Sequence, residues 1–333
     1  MFRRLLAHPI VHIALTGAIA LSVFFCVFPD VVPRFSWLVN YAVVLMLFFL
    51  VAGLVFFFLK QPKLTFAFFG GCALLCFFLK YSVKGDGIQR WRDDMFNERL
   101  VKGNEPEPVR TELKIAHFNL SHLGRKADLP DVIGKLDADI LSVHEVTPMG
   151  DRLLKEAFAE SYPFSQTLVD IGIYGMAVYS KYEIENIDTF YYKDVPNLCG
   201  QITKEGEAFN FVSVHTLPAL NEYSKRRLQQ HLKVVEGEVN RQVGPLFLFG
   251  DFNSVTWSGQ IQQLLDDTGL MESRMGFMPY SVSGGLSFTD LPFDHIFYTG
   301  HFTCLNFQII QGTDGQHLGI LGAYRFPKKR LHG

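Results

Sequence analysis

The sequence predicts an α/β protein with a membrane anchor, in which three apolar helices precede one domain of packed β-sheets flanked by helices. An apolar region runs from Pro9 to Phe78, and short alternating strands and helices begin at Glu112. Many strands with only a few helices between them are typical of packed sheets rather than of a doubly wound parallel sheet. Polar residues also stand at the ends of several strands, which indicates a functional rim.

The apolar region contains three stretches, at residues 8–28, 37–59 and 64–79. A helix needs about 20 apolar residues to cross a bilayer, with about 17 as the usual minimum. Each stretch alone has an alternative reading, as a buried core helix or, for the first, as a cleaved signal peptide. Three in succession, with no small-residue cleavage site after the first, favour membrane spans. We therefore predict a multi-pass membrane anchor over residues 1–82, with the lipid bilayer as its partner.

Basic residues predict the orientation of the anchor. Two arginines begin the chain, and Lys60 and Lys63 lie between the second and third spans. Basic residues collect on the cytoplasmic side of membrane proteins. Because the number of spans is odd, this places the large domain outside the cytoplasm. Lys80 and Lys84, just after the third span, argue the other way.

Residues 83–110 are expected to connect the anchor to the rest of the chain. Residues 89–101 have helical character, with Trp91 and Phe96 among charged residues. The two prolines at 106 and 108 cannot continue that helix, because proline lacks a backbone N–H and restricts the residue before it. We predict a juxtamembrane helix and linker here, followed by a single domain over 111–333.

The charge of that domain bears on its partners. Residues 101–333 carry 21 Lys and Arg against 28 Asp and Glu, a net formal charge of −7. Nucleic-acid binding depends largely on Lys and Arg that neutralise phosphates. A nucleic acid is therefore the less favoured substrate, and nothing in the sequence indicates an obligate protein partner.

Period-two and helical patterns assign the elements of the domain. The predicted strands are 112–120, 140–143, 164–169, 176–180, 183–192, 198–203, 208–215, 246–250, 293–298, 304–311 and 318–326. The predicted helices are 129–136, 149–159, 221–241 and 258–268.

Acidic, amide and imidazole side chains fall at the ends of these strands. They are Asn119, Glu145, His215, Asp251, Asn253, Asp294, His295, Asp314 and His317. Taken singly, each is more often a turn, cap or packing residue. Strand ends can converge on one rim, however, and an oxygen-rich cluster there suits Mg²⁺ or Mn²⁺. Phosphoryl chemistry is the natural use of such a site.

The order of these motifs resembles the endonuclease/exonuclease/phosphatase superfamily, which includes DNase I-like nucleases, neutral sphingomyelinases and inositol-polyphosphate phosphatases. The resemblance spans residues 112–326, and its motifs are Phe118-Asn119, Val143-His144-Glu145, Tyr174 to Ser180, Val214-His215-Thr216, Gly250-Asp251-Phe252-Asn253, Phe293-Asp294-His295 and Asp314 to His317. The segment His215-Thr216-Leu217-Pro218 is similar to that of a bacterial membrane-anchored branch.

The resemblance implies a four-layer sandwich of two mixed β-sheets flanked by helices, and it implies roles for residues. Glu145 is the principal metal ligand, helped by Asn119 and Asp314. His317 is the general base, oriented by Asp294, because a carboxylate holds the imidazole in the useful tautomer. Asp251 and Asn253 are expected to position the attacking water and a phosphate oxygen. His215 is expected to donate a hydrogen bond or a proton as negative charge develops.

Two departures from the family pattern stand out. His144 replaces the Gln that usually precedes the metal-binding Glu. The last motif is usually an adjacent Ser-Asp-His, whereas Gly315 and Gln316 separate Asp314 from His317 here. His295 is the rival candidate for the base, although a packing role beside Asp294 is favoured.

Three functions stay open at this point. The first is a divalent-metal-dependent phosphoesterase that acts on a lipid-linked or other membrane-proximal phosphate ester. The second is a membrane-tethered nuclease, and the third is a non-catalytic scaffold that keeps the fold.

Overall fold

The computed structural model describes residues 8–82, 112–120, 129–219, 221–274, 291–311 and 317–326. Two parts follow one another along the chain, a helical anchor and a β-sandwich. The predicted juxtamembrane helix at 89–101 and the linker after it lie outside the described residues.

Three apolar helices form the anchor, as the sequence predicts. They are α1 (Pro9–Val27), α2 (Ala42–Phe58) and α3 (Pro62–Ser82), and a 3₁₀ helix at Pro33–Tyr41 precedes α2. Three segments are long and apolar enough to cross a membrane, with mean hydropathies of 2.3, 2.8 and 1.7, and they are Pro9–Val27, Arg34–Phe58 and Pro62–Ser82. The second joins most of the 3₁₀ helix to α2. The third helix begins at 62 rather than 64, because proline is well tolerated in the first turn of a helix.

The helices of the anchor pack closely around Gly71. A Cβ atom on Gly71 would lie 2.6 Å from Ile19 of α1 and 3.0 Å from Phe49 of α2. A larger residue would therefore push the helices apart. The 3₁₀ helix packs under the end of α1, where the rings of Phe25 and Phe35 stack at 4.5 Å.

The described strands form two six-stranded mixed sheets, with helices outside, which confirms the predicted four-layer sandwich. The first sheet has the order β11-β12-β1-β2-β4-β3 and the second β5-β6-β7-β8-β10-β9. The strands are β1 (Glu112–Asn119), β2 (Ile140–His144), β3 (Phe164–Leu168), β4 (Met176–Ser180), β5 (Ile184–Tyr192), β6 (Val195–Lys204), β7 (Glu207–His215), β8 (Leu246–Asp251), β9 (Met271–Glu272), β10 (Asp294–Tyr298), β11 (Thr303–Gln311) and β12 (His317–Arg325). The helices of this part are α4 (Leu129–Leu136), α5 (Pro148–Phe158), α6 (Glu222–Arg241) and α7 (Gly259–Thr268).

Apolar side chains fill the space between the two sheets. Ile115 and Ile140 of the first sheet and Phe211, Phe249 and Ile296 of the second belong to one buried cluster. Separate clusters lie under the outer helices, with α5 against the first sheet and α6 and α7 against the second. Burial on both faces explains why β2, β4 and β8 read as continuous apolar runs rather than alternating ones.

Three differences from the sequence prediction concern strands next to the polar rim. Asp251 is the last residue of β8 rather than the first after it, because it pairs with His215 and with Asp294. His317 is the first residue of β12 rather than part of the preceding loop, because it pairs with Gln311. The two-residue strand β9 was not predicted, since two residues carry no periodicity.

Candidate active site

The predicted polar residues meet at one rim of the sandwich because of strand direction. Strands β1 and β2 are parallel neighbours, as are β7 and β8, so each pair ends at the same edge of its sheet. Strands β10 and β12 run antiparallel to β8 and β1 and therefore begin at that edge. The packing of the two sheets brings both edges together.

Asn119 links the two sheets at this rim. Its Nδ2 donates to Glu145 Oε1 at 3.1 Å and to Asp251 Oδ2 at 3.2 Å. Asn119 and Asp251 are buried, and Glu145 is half-buried. Two carboxylates from different sheets thus lie against the same amide, although 106 positions separate them in the sequence.

The backbone at this rim is strained. Glu145 and Asn253 have φ angles of 58° and 47°, in the left-handed region that few non-glycine residues adopt. Gly250 has a φ of 142°, and a Cβ atom there would lie 2.0 Å from the carbonyl oxygen of Val214. Such strain collects at functional sites, where the surrounding structure holds it in place.

Asp294 and His317 form a buried pair. His317 Nε2 lies 2.7 Å from Asp294 Oδ2, and the side chains are 6% and 2% exposed. Burial by itself raises the pKa of Asp294, but the two imidazoles beside it, His117 and His317, outweigh burial and hold that pKa well below its usual range. The carboxylate is therefore ionised and fixes the orientation of the imidazole.

His117 is a second imidazole on Asp294 that sequence reasoning missed. Its Nε2 lies 3.6 Å from Asp294 Oδ1, and its Nδ1 lies 3.0 Å from Ser142 Oγ. The chain of contacts continues from Ser142 to Ser213 at 3.3 Å and on to His144 Nε2 at 3.1 Å. A histidine between the apolar residues Ala116 and Phe118 of β1 was the available signal, since a buried imidazole needs polar partners.

His144 and His215 stack inside the sandwich, with ring centroids 5.0 Å apart. Burial, with His117 and His215 nearby, holds the pKa of His144 well below its usual range, so this imidazole is neutral. His215 Nε2 lies 3.9 Å from Asp251 Oδ2. Its Nδ1 is buried and has no hydrogen-bond partner among the described residues.

Asn253 holds the segment that follows β8. Its backbone nitrogen donates to Asp251 Oδ1 at 2.9 Å, and its Nδ2 donates to the carbonyl oxygen of Thr216 at 2.7 Å. His295 has partners outside this cluster. Its Nδ1 lies 2.9 Å from Glu272 Oε2, and its Nε2 lies 2.8 Å from the carbonyl oxygen of Ser254. These bonds are those of a packing residue. The predicted metal ligand Asp314 lies outside the described residues.

The rim fits a divalent cation by the chemistry of its donors. No group of three His, Cys, Asp and Glu suited to a metal occurs within the part of the chain that the structure describes. Mg²⁺ needs fewer protein ligands, because it usually keeps several waters and binds through one or two carboxylates. Glu145, Asp251 and the Asn119 amide supply hard oxygens of this kind, and a cation would offset two neighbouring negative charges.

The anchor contacts the segments next to this rim. Trp257 Nε1 donates to the carbonyl oxygen of Val39 at 2.8 Å, and Lys225 Nζ donates to Asp30 Oδ1 at 2.6 Å. Val255 and Trp257 are buried in the same apolar cluster as the core of the three helices, and Phe293 packs against it. Segments a few residues after Asp251 and directly before Asp294 therefore rest on the anchor.

The fold is a four-layer α/β sandwich with a cluster of polar residues at one rim. The sequence model of the Endonuclease/Exonuclease/phosphatase family matches residues 116–314, more than half of the chain. The chain belongs to this family, whose members are phosphoesterase hydrolases. No curated protein sequence matches it.

Solved structures share the fold at low sequence identity. A family member from Bacteroides vulgatus is 17% identical with a TM-score of 0.54, covering 65% of this chain and 100% of its own. Danio rerio TDP2, solved with a single-strand DNA product, is 16% identical with a TM-score of 0.53, covering 64% and 99%. A mannosyl-6-phosphatase from Bacteroides thetaiotaomicron is 18% identical with a TM-score of 0.51, covering 64% and 100%.

Proposed function

We propose that this protein hydrolyses a phosphate ester at the membrane surface with the help of Mg²⁺ or Mn²⁺. The observation that carries the proposal is the shared rim: the Asn119–Glu145–Asp251 cluster and the Asp294–His317 pair lie at one edge, and the anchor contacts the residues beside them. A metal at Glu145, Asn119 and Asp251 would polarise the phosphoryl oxygen and offset charge on the leaving group. Asp314 stays a predicted further ligand.

His317 acts as the general base. With Nε2 donating to Asp294, the Nδ1 atom carries the lone pair and can accept a proton from the attacking water. Asp294 stabilises the imidazolium that forms, because its carboxylate is ionised and buried. The same pairing logic operates in other Asp–His catalytic pairs.

The remaining polar residues position the reacting groups. Asp251 and Asn253 orient the attacking water and a phosphate oxygen, since a hydrogen bond between them fixes both. His215 donates a hydrogen bond as negative charge develops on the phosphoryl group. Its buried Nδ1, which lacks a partner in the described residues, supports this role.

The anchor favours a substrate in the membrane. The contacts of Trp257 with Val39 and of Lys225 with Asp30 keep the rim within reach of the membrane surface. A lipid-linked phosphate presents its ester at that level. The net charge of −7 from residue 101 onwards is a poor match for a nucleic acid.

We propose that the catalytic domain lies on the extracytoplasmic side of the membrane. The Pro33–Tyr41 helix contacts the catalytic domain, so the connection between α1 and α2 is on the catalytic side of the bundle. Lys60 and Lys63 lie in the connection at the other end of α2. The positive-inside rule places that end in the cytoplasm. A reporter enzyme fused to the C-terminus, active only outside the cytoplasm, tests this directly.

The activity is tested on the full chain in lipid nanodiscs. A panel of a soluble phosphodiester, a soluble phosphomonoester, a phospholipid and plasmid DNA is incubated with Mg²⁺, Mn²⁺ or EDTA. We expect turnover of the phospholipid that EDTA abolishes and that Glu145→Gln and His317→Gln each lower by at least about a hundredfold.

Each other outcome selects a different function. Turnover of plasmid DNA alone would make the protein a tethered nuclease. No metal-dependent turnover of any substrate would favour a non-catalytic scaffold. Full activity in either variant would remove that residue from the proposed site.

A further inference from the structure

The loop between β3 and β4, residues 169–175, lies at the active-site rim. Strand β4 begins at Met176, which pairs with His144 at the end of β2 and with Leu168 at the end of β3. Because β2 ends at the rim, the loop that precedes β4 stands at the same edge as Glu145, the residue after β2.

Polar contacts close this loop at its base. The backbone nitrogen of Asp170 donates to the carbonyl oxygen of Val146 at 3.2 Å, and the nitrogen of Val146 donates to the carbonyl oxygen of Gly175 at 3.1 Å. Asp170 Oδ2 also accepts a hydrogen bond from the backbone nitrogen of Tyr174 at 3.1 Å. The loop is thus held to the residue after Glu145 by its backbone and by one carboxylate.

Apolar side chains of this loop face the solvent. Ile171 is 89% exposed, and Val169 and Ile173 are 44% and 41% exposed. Met149, in the first turn of α5, is exposed as well and follows Glu145 closely in the chain. Single exposed apolar residues are normal on a protein surface, whereas several in one place mark a surface that binds an apolar partner.

The first turns of α6 lie beside the loop. The charge of Arg227 acts on Tyr174 of the loop, and the Arg227 guanidinium lies over the ring of Tyr223, 5.9 Å from its centroid. Tyr223 and the neighbouring Arg226 are exposed. Tyrosine and arginine combine an apolar body with a polar end, which suits the boundary between water and lipid. The exposed apolar and aromatic residues of this region are called the docking surface below, and they are Met149, Val169, Ile171, Ile173 and Tyr223.

The docking surface is continuous with the anchor. Lys225, in the same turns of α6, bonds to Asp30 at 2.6 Å. Asp30 comes just after the end of α1 at Val27, and the end of a span lies at the membrane surface. The rings of Trp37 and Tyr41 meet edge to face at 5.8 Å in the 3₁₀ helix that follows, and both residue types are common at that level. The start of α6 therefore lies next to the end of a predicted span.

We propose that the docking surface contacts the bilayer, with Ile171 inserted between lipid chains and the active-site rim facing the membrane. Another protein or a second copy of this chain could also cover apolar side chains. The bilayer is favoured because the contact between Lys225 and Asp30 places the start of α6 at the end of the first span. The inference rests on the proposed membrane location, and it does not require the proposed hydrolysis.

A photoreactive side chain tests which molecule covers the docking surface. A benzophenone amino acid replaces Ile171 in one protein and Val243 in another, each as the full chain in phosphatidylcholine nanodiscs with EDTA. Val243 is the matched control, because it is 91% exposed and lies just before β8, at the edge opposite to the rim. After irradiation, mass spectrometry measures lipid adducts, and we expect at least about tenfold more at position 171 than at position 243.

Other patterns of labelling contradict the proposal. Equal lipid labelling at the two positions, or none at position 171, would show that the surface does not enter the bilayer. A cross-link from position 171 to a second copy of the chain would make the surface a protein interface instead.

A charge on the docking surface gives an independent measurement. Ile171→Asp places a carboxylate where the proposal puts lipid chains, so we expect KM for a phospholipid in nanodiscs to rise by about tenfold with kcat unchanged. Val243→Asp should leave both constants as they are in the wild type. Both variants should hydrolyse a soluble phosphodiester at the wild-type rate, because neither residue belongs to the candidate site. An unchanged KM in Ile171→Asp would overturn the insertion.

The two measurements separate this inference from the proposed function. Lipid adducts at position 171 without turnover of any phosphate ester would keep the docking surface and contradict the proposed hydrolysis. Turnover without lipid adducts at position 171 would do the reverse.

Discussion

The indole nitrogen of Trp257 donates a hydrogen bond to the backbone carbonyl oxygen of Val39, at 2.8 Å. Trp257 belongs to the segment that follows Asp251, and Val39 belongs to the 3₁₀ helix between the first two spans. The three apolar helices thus support the candidate rim, in addition to the membrane tethering that we propose.

This bond can be removed by a substitution that keeps an aromatic ring in the cluster, although it leaves part of the buried indole volume empty. Trp257→Phe deletes the N–H and leaves a buried carbonyl without its donor, so we expect a loss of about 1 to 3 kcal/mol. The measurement is thermal unfolding of the full chain in detergent micelles. Trp37→Phe, at a ring 46% exposed, serves as the stability control. Equal melting temperatures for the two variants would show that the Trp257 bond contributes nothing.

The backbone at Gly250 allows a sharper stability test. Gly250→Ala places a Cβ atom 2.0 Å from the Val214 carbonyl oxygen, at a φ of 142°. The strands would have to separate, and we expect a loss of about 4 kcal/mol or more. Gly237→Ala, inside α6 with nothing within 4 Å, should instead stabilise by about 0.5 to 1 kcal/mol. Denaturant unfolding of both variants measures the contrast, and a well-folded Gly250→Ala protein would contradict the close approach of β7 and β8.

His117 should act as a positioning residue for the Asp294–His317 pair. His117→Ala removes the imidazole that lies 3.6 Å from Asp294, so the carboxylate loses one of the two groups that hold it. We expect kcat on a soluble phosphodiester to fall by about tenfold with KM unchanged. His117→Gln, which can still donate to the carboxylate, should recover part of the loss. An unchanged kcat, or a rise in KM alone, would argue against positioning.

The buried imidazole of His231 predicts a dependence of stability on pH. Burial, and then the positive charges of His215 and Arg227, lower its pKa to about 4, while its Nε2 bonds to Asn197 at 2.9 Å. The unfolded chain, with an ordinary histidine pKa of about 6.5, binds the proton more readily. The contribution of neutral His231 is therefore complete above about pH 6.5 and is lost as the pH falls toward 4.

The variant His231→Gln keeps a donor toward Asn197 and cannot titrate. We expect it to lose less stability than the wild type between pH 6.5 and 4, by on the order of 3 kcal/mol. Chemical unfolding at a series of pH values measures the difference. Parallel pH curves for the two proteins would show that His231 titrates normally.

Much of the fold follows from the sequence. Apolar length alone predicts three helices long enough to cross a membrane, because the thickness of the bilayer fixes how many residues a span needs. The strands β4 and β7 were placed to within one residue, since strong apolar runs bounded by polar residues mark them. The two-residue β9 carries no such pattern and depends on its pairing with β10.

For the candidate site too, one part follows from the sequence and another only from the tertiary structure. The sequence determined which residue types stand at the strand ends, and the family order made Glu145 and His317 candidates. Only the tertiary structure decided that His117 lies against Asp294 and that His295 turns instead toward Glu272. Such contacts join strands far apart in the chain, so no local pattern encodes them.

The anchor shows the difference most clearly. The sequence by itself predicted the three apolar helices, because hydrophobicity is a property of a local segment. Only the tertiary structure decided that Val39 meets Trp257 and that Asp30 meets Lys225. A contact between residues 218 positions apart arises from packing, which the chain determines only as a whole.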